Sequence, residues 1–252
     1  MALTPGLLVG RTFEASIQVT RMTLLATLLL SSPCFGFSSD ASDSESLRID
    51  HVIVGVADLD RGMDRFEQLT GVRPVIGGDS PGRGSRNALV SLGNGRYLEL
   101  LAPRSDASPS ADIDVLRRLK DLTPLRWLVS TSQPEVTLRH LRQLGYGISD
   151  PLPGSRVKPD STRLKWVRFR ITKPELAQAP VLINWDSLSL HPSIDSPAGC
   201  DLTDLTLVVS SQAPYQRLLR VLPVGAGIRR GDRPRLEVTL SCPTGIVRLG
   251  AK

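Results

Sequence analysis

The chain has 252 residues, enough for one large or two small domains, and its 40% apolar content supports a core without added cross-links. A net charge of +6 and a pI near 9.6 would suit an anionic partner, but the basic residues are scattered, with short pairs at Arg117–Arg118 and Arg229–Arg230. No basic and aromatic platform accompanies them, which argues against nucleic acid and leaves a solvated basic surface or a cup for an anionic small molecule.

Residues 1–47 read as leader and linker. The apolar run MTLLATLLL at 22–30 follows Arg11 and Arg21, and small residues lead to a cleavage-like position near Gly36. This is a signal-peptide pattern over residues 22–36, too short for a stable membrane span. Export to a secreted or periplasmic site is expected, with a cytoplasmic or organellar chain as the alternative. Met22 is a second candidate start. The Ser- and Asp-rich residues 38–46 complete the linker.

A first unit spans 48–103. Alternation from Ile49 to Val56 predicts a strand with Val52, Val54 and Val56 on one face and Ile49, His51, Ile53 and Gly55 on the other. Asp58 is a fitting N-cap for a helix whose apolar stripe is Leu59, Met63, Phe66 and Leu69, and Gly71 is its stop. Short strands follow near 73–76, 88–92 and 97–101, giving strand–helix–three strands. His51 and Glu99 are the polar residues that face the concave side. An imidazole and a carboxylate on facing strands can form half of a metal site.

The pattern restarts near Leu125, after a short connecting helix marked by Ile113, Leu116 and Leu119. A strand leads to a capping-box start at Ser132–Glu135 and a helix with Val136, Leu138, Leu141 and Leu144 on its apolar side. Strands are expected near 147–150, 164–171 and 180–185, with a basic loop at 154–163. A third unit covers 200–250. The fold class is therefore α+β, with repeated βαβββ modules at 48–103, 124–187 and 200–250 that form cupped mixed sheets with helices outside. Since such modules pair, the odd third unit must pack on a degenerate neighbour or across a homodimer interface.

Four segments in order, GGDSPGRGSRN at 77–87, YLEL at 97–100, HPS at 191–193 and PAGC at 197–200, resemble the glyoxalase-like domain family. That family belongs to the vicinal oxygen chelate superfamily, with glyoxalase I, extradiol dioxygenases and bleomycin-resistance proteins. The resemblance covers residues 48–250. It implies βαβββ modules and, in metal-using members, a His in the first strand and a Glu in the last strand of each of two modules. Here His51 and Glu99 match one such pair. Asp204 and Arg248, or Arg126 and Ile183 or Asn184, stand at the comparable places of the other units, and arginine has no lone pair for a metal. Ser80 stands where the family's glycine-rich segment carries a histidine.

The expected function is a metal-assisted lyase or dioxygenase acting on a small oxygenated substrate, with Zn, Fe, Mn or Ni on His51 and Glu99, or with Glu99 as general base. The alternative is a non-catalytic small-molecule-binding protein of bleomycin-resistance type without a metal. Tyr97, Asn87, Arg86 and His191 are candidate substrate contacts, and His140 reads as an exposed helix residue. Cys200 and Cys242 read as small buried thiols, with pairing open to them if the chain is exported; Cys34 falls outside the fold. Trp127, Trp166 and Trp185 are placed in the core or the cup wall.

Overall fold

The computed structural model describes residues 47–251, so the leader, Cys34 and Met22 lie outside the described residues. The first unit comprises β1 (Arg48–Gly55), α1 (Leu59–Thr70), β2 (Val75–Ser80), β3 (Ser85–Ser91) and β4 (Tyr97–Pro103). Asp58 caps α1 by accepting the Arg61 backbone N–H at 2.9 Å, and Gly71 ends it at φ 75°, a left-handed conformation that glycine adopts without strain. The valine face of β1 and Leu59, Met63 and Phe66 of α1 belong to one buried cluster. Fully buried Phe66 fixes the helix to the sheet, a contact whose loss typically costs about 3–5 kcal/mol.

After α2 (Ala111–Arg117), a second unit follows with β5 (Thr123–Ser130), α3 (Pro134–Gln143), β6 (Leu152–Val157), β7 (Arg163–Arg170) and β8 (Val181–Trp185). The expected capping box does not form: Gln133 is the N-cap and its side chain makes no capping bond. Strand β6 runs through the segment expected as the start of a basic loop. Its sequence, LPGSRV, carries no apolar alternation, because its inward group is the buried Arg156 rather than a hydrophobe.

The first two units close into one barrel, in the order β1-β4-β3-β2-β6-β7-β8-β5. Within each unit the first strand pairs parallel with the last: β1 with β4 and β5 with β8. The two seams between the units are unequal. Strands β1 and β5 pair from Arg48 to Gly55 with two register shifts, whereas β2 and β6 meet at the single pair Asp79–Val157.

The third unit has the same element order, β9 (Asp201–Val209), α5 (Ala213–Val221), β10 (Gly227–Arg230), β11 (Arg235–Cys242) and β12 (Gly245–Leu249). Its pairing differs. The sheet runs β10-β9-β11-β12, so the first strand lies inside it, parallel to β10 and antiparallel to β11. It is not a topological copy of the first unit, and the superposition of Asp204 on His51 and Arg248 on Glu99 has no structural counterpart. Exposed Asp204 accepts the Thr206 hydroxyl at 2.8 Å. The sheet packs within the same chain, with β11 against β5 and Thr244 donating to the Leu69 carbonyl. The short α4 (Pro192–Asp195) precedes it.

Cys200 and Cys242 form a disulfide, not two free thiols. The β9–β11 register pairs Asp201 with Ser241, which places the two cysteines side by side with Cα atoms 4.2 Å apart. The bridge spans a sequence separation of 42 residues. Closing a loop of that length in the unfolded chain is worth about 4 kcal/mol on the chain-entropy account. Cys242→Ser should therefore lower the unfolding free energy by about 2–4 kcal/mol in denaturant titrations without reductant. The parent protein titrated with reductant should fall to the same value, and equal stability of variant and oxidised parent would show that the bridge contributes nothing.

Candidate functional site

The barrel interior holds a cavity of about 700 Å³, within the range of small-ligand sites. His51 from β1 and Tyr97 and Glu99 from β4 line one wall, with Asn87 from β3 beside them. Trp166, Arg168 and Arg170 from β7 and Trp185 from β8 line the other. Trp127 lies instead in the core, where its indole N–H donates to the Gln178 carbonyl at 2.9 Å.

The alternation of β1 places Asp50 among the valines, yet its carboxylate reaches the His51 ring. The cause is the register shift between Ile49 and His51 against β5. A bulge re-aims a side chain in this way. Asp50 is fully buried and accepts three hydrogen bonds: from His51 Nδ1 at 2.5 Å, Trp185 Nε1 at 3.0 Å and His191 Nε2 at 3.1 Å. Burial alone would push its pKa up. The hydrogen bonds from His191 and His51 outweigh burial and hold the carboxyl well below the usual carboxylate range. His191 Nδ1 accepts the Ser193 backbone N–H, so its Nε2 carries the proton that Asp50 receives. Asp50 likewise fixes the proton of His51 on Nδ1 and leaves the Nε2 lone pair toward the cavity.

Across from that lone pair stands Glu99, with Oε2 3.7 Å from His51 Nε2. Its Oε1 accepts from Asn87 Nδ2 at 2.5 Å, and Asn87 Oδ1 accepts from Arg156 at 2.8 Å. Arg156 comes from β6, so this pair of bonds ties the weak β2–β6 seam. The guanidinium passes over Gly77, where a Cβ would lie 2.6 Å from Asn87 Oδ1 and 2.7 Å from the Arg156 nitrogen. Next to it, Gly78 has φ 130°, and a Cβ there would meet the Val157 carbonyl oxygen. The double glycine thus lets the Arg156 side chain and the β6 backbone approach closely. Tyr97 stacks on His51 with ring centroids 4.3 Å apart, and burial, helped by the Asp50 and Glu99 charges, pushes its phenol pKa far up.

His51, Glu99, Tyr97 and Asn87 are therefore brought together. Two expected contacts are not. Arg86 alternates to the outside of β3 and faces Asp60 of α1 at 3.8 Å, and His191 stands behind Asp50 rather than on the cavity lining. Sequence reasoning missed Asp50, Arg156, Arg168 and Arg170. For Asp50 a signal existed, a carboxylate inside an apolar strand beside a histidine. For Arg156 none did, because its strand looks like a loop.

The donor set does not fit a resident divalent metal. His51 Nε2 and Glu99 Oε2 are two ligands, whereas protein sites usually supply three or more. The second unit contributes Arg126 and Ile183 to the same cavity, and Ser80 lines it where the related segment has a histidine. Among the described residues no group of three or more His, Cys, Asp or Glu side chains is disposed to hold a metal ion.

A family model described as a glyoxalase-like domain matches residues 49–222. A crystal structure of a hypothetical protein from Staphylococcus aureus is similar over 81% of this chain and 99% of that chain, at 14% identity and a TM-score of 0.63. Methylmalonyl-CoA epimerase from Mycobacterium tuberculosis is similar over 55% of this chain and 86% of that chain, at 21% identity and a TM-score of 0.39. No curated protein matches the chain. The first of these structures supports the fold.

Two substitutions check the site's construction. Asp50→Ala strands the Trp185 and His191 donors and should cost about 3–5 kcal/mol in denaturant unfolding. Gly77→Ala and Arg156→Gln act on one contact, so their double variant should lose less stability than the two single losses added together, whereas strict additivity would separate the glycine from the guanidinium.

Proposed function

The chain belongs to the glyoxalase-like domain family of the vicinal oxygen chelate superfamily, and from that premise we propose that it is an enzyme moving a proton on a carbon beside a carbonyl of a small oxygenated substrate. One observation carries this reading: the line Asp50–His51–Glu99, in which an ionised buried carboxylate orients an imidazole whose free nitrogen faces a second carboxylate across 3.7 Å of cavity wall. Two proton acceptors on one face can take a proton from carbon and return it to a neighbouring atom. Asp50 supports the imidazolium that forms when His51 accepts the proton. Asn87 fixes the Glu99 carboxylate so that one oxygen remains free to act.

Negative charge then develops on the substrate oxygen, and fixed positive charge aimed at that oxygen lowers the barrier. In this cavity the arginine side of the barrel supplies it. No step in this scheme requires a metal, consistent with the two-ligand donor set. The Cys200–Cys242 bridge supports an exported protein, since such bridges persist in oxidising compartments. Among the described residues no helix is long and apolar enough to cross a membrane.

The test is proton exchange. Incubated in deuterated water with a panel of α-oxygenated aldehydes, ketones and keto acids, the protein should exchange the carbon-bound proton of at least one, read by NMR. Glu99→Gln and His51→Ala should each slow this by about 100-fold or more. Exchange untouched by either substitution would refute the proposal. Loss of exchange on chelation, with recovery on adding Zn, Fe, Mn or Ni and metal bound in stoichiometric amount, would restore the metal-assisted reading. Tight ligand capture without exchange would favour the binding-protein reading.

A further inference from the structure

The cavity holds more positive charge than the proton-transfer scheme needs. Six arginines line it. Two are neutralised at the rim: Arg104 pairs with Asp79 and Asp106, and Arg126 pairs with Asp112. The remaining four, Arg83, Arg156, Arg168 and Arg170, have no carboxylate within ion-pair distance among the described residues; the acids of the lining are Glu99 and the two rim carboxylates Asp106 and Asp112, which already pair with Arg104 and Arg126. Arg168 and Arg170 occupy alternate positions of β7 and so project to the same side as Trp166. Arg83 comes down from the turn after β2.

Arg83 is desolvated and repelled by Arg170 and Arg126, which lowers its pKa against the attraction of Glu99 and Asp112. Two donors are also left over. The Nε of Arg156, a residue only 5% exposed, and the Nε of Arg168 are buried without a hydrogen-bond partner. A buried donor without an acceptor costs about 1–3 kcal/mol. A cavity wall with two unsatisfied guanidinium N–H groups, and with Arg83 and Arg170 repelling each other beside them, is a site for an acceptor that the chain itself does not provide.

Resting on the proton-transfer reading, we propose that the substrate is a dianionic small molecule whose oxyanion groups, carboxylate or phosphate, are held by Arg168 and Arg170 with Arg83 and Arg156 closing around them. Guanidinium forks match such groups through paired N–H···O bonds. Bound there, the anion neutralises the wall opposite Glu99 and holds the reacting carbon toward His51 and Glu99. The arrangement also selects against neutral analogues, because a neutral ligand leaves the buried N–H groups of Arg156 and Arg168 without an anionic acceptor.

Calorimetric titration of the purified protein tests this with malonate, succinate, glycerol phosphate and inorganic phosphate against the neutral malonamide and glycerol. Dianions should bind at least about tenfold more tightly than their neutral counterparts, the scale of one charge-assisted hydrogen bond. Arg168→Gln and, separately, the more exposed Arg170→Gln should each remove about tenfold or more of that affinity. Arg217→Gln, on the exposed face of α5, controls for net charge and should leave it unchanged. The relative affinities of the dicarboxylates and the phosphates identify which oxyanion the site takes. Glu99→Gln should bind the dianions as well as the parent or better, since it removes a like charge. Equal binding of malonamide and malonate, or parent-like binding by both arginine variants, would overturn the inference. Proton exchange without anion preference refutes this inference alone, whereas anion preference without exchange on any substrate refutes the proton-transfer reading alone.

Discussion

A carboxylate with no water around it is tolerable only where the protein replaces the water's hydrogen bonds, and the site depends on how this is done for Asp50. Its three donors come from β1 itself, from the end of β8 and from the residue that opens α4. The charge therefore gathers three distant parts of the chain. It also sets the His51 tautomer, and with it the direction in which the Nε2 lone pair points. His191 acts as a positioning residue in this arrangement: its Nδ1 is occupied by Ser193, so its only outward message is the proton given to Asp50.

The two halves of the barrel share a pairing scheme and bring different side chains to the cavity. The first supplies an imidazole and a carboxylate, His51 and Glu99. The second supplies Trp166, Arg168, Arg170 and Trp185. The seams differ in strength for a related reason. The β1–β5 seam is long and carries the bulge that turns Asp50 inward. The β2–β6 seam has one strand pair, and the Arg156–Asn87–Glu99 relay joins the halves there instead. A side chain needed for the site thus also serves to close the barrel.

Much of this was legible in the sequence. The strand–helix–three-strand order, the Asp58 and Gly71 caps and the pairing of His51 with Glu99 follow from periodicity and local chemistry. Asp50 was hidden because strict alternation sends it to the valine face, and only a one-residue bulge, which depends on the partner strand, reverses that. Strand β6 was hidden because its inward residue is an arginine, so the apolar period that announces a half-buried strand is missing. The altered strand order of the third unit leaves no mark in its element order, since pairing partners are set by tertiary contacts that repeat counting does not see. The disulfide follows from the β9–β11 register, which the spacing of the cysteines alone does not reveal.

The division between the walls has a stereochemical consequence. If both halves carried the same groups, a small substrate could lie in the cup in either of two directions related by the barrel's approximate twofold relationship. With His51 and Glu99 on one wall and Arg168 and Arg170 on the other, a ligand bound as proposed above would present one face of its planar enolate to His51 and Glu99. In that proposed reaction a proton returned by either group would arrive on that face. The unlike walls of a nearly symmetric barrel would in this way fix the handedness of the product, without any residue that contacts the new stereocentre for that purpose.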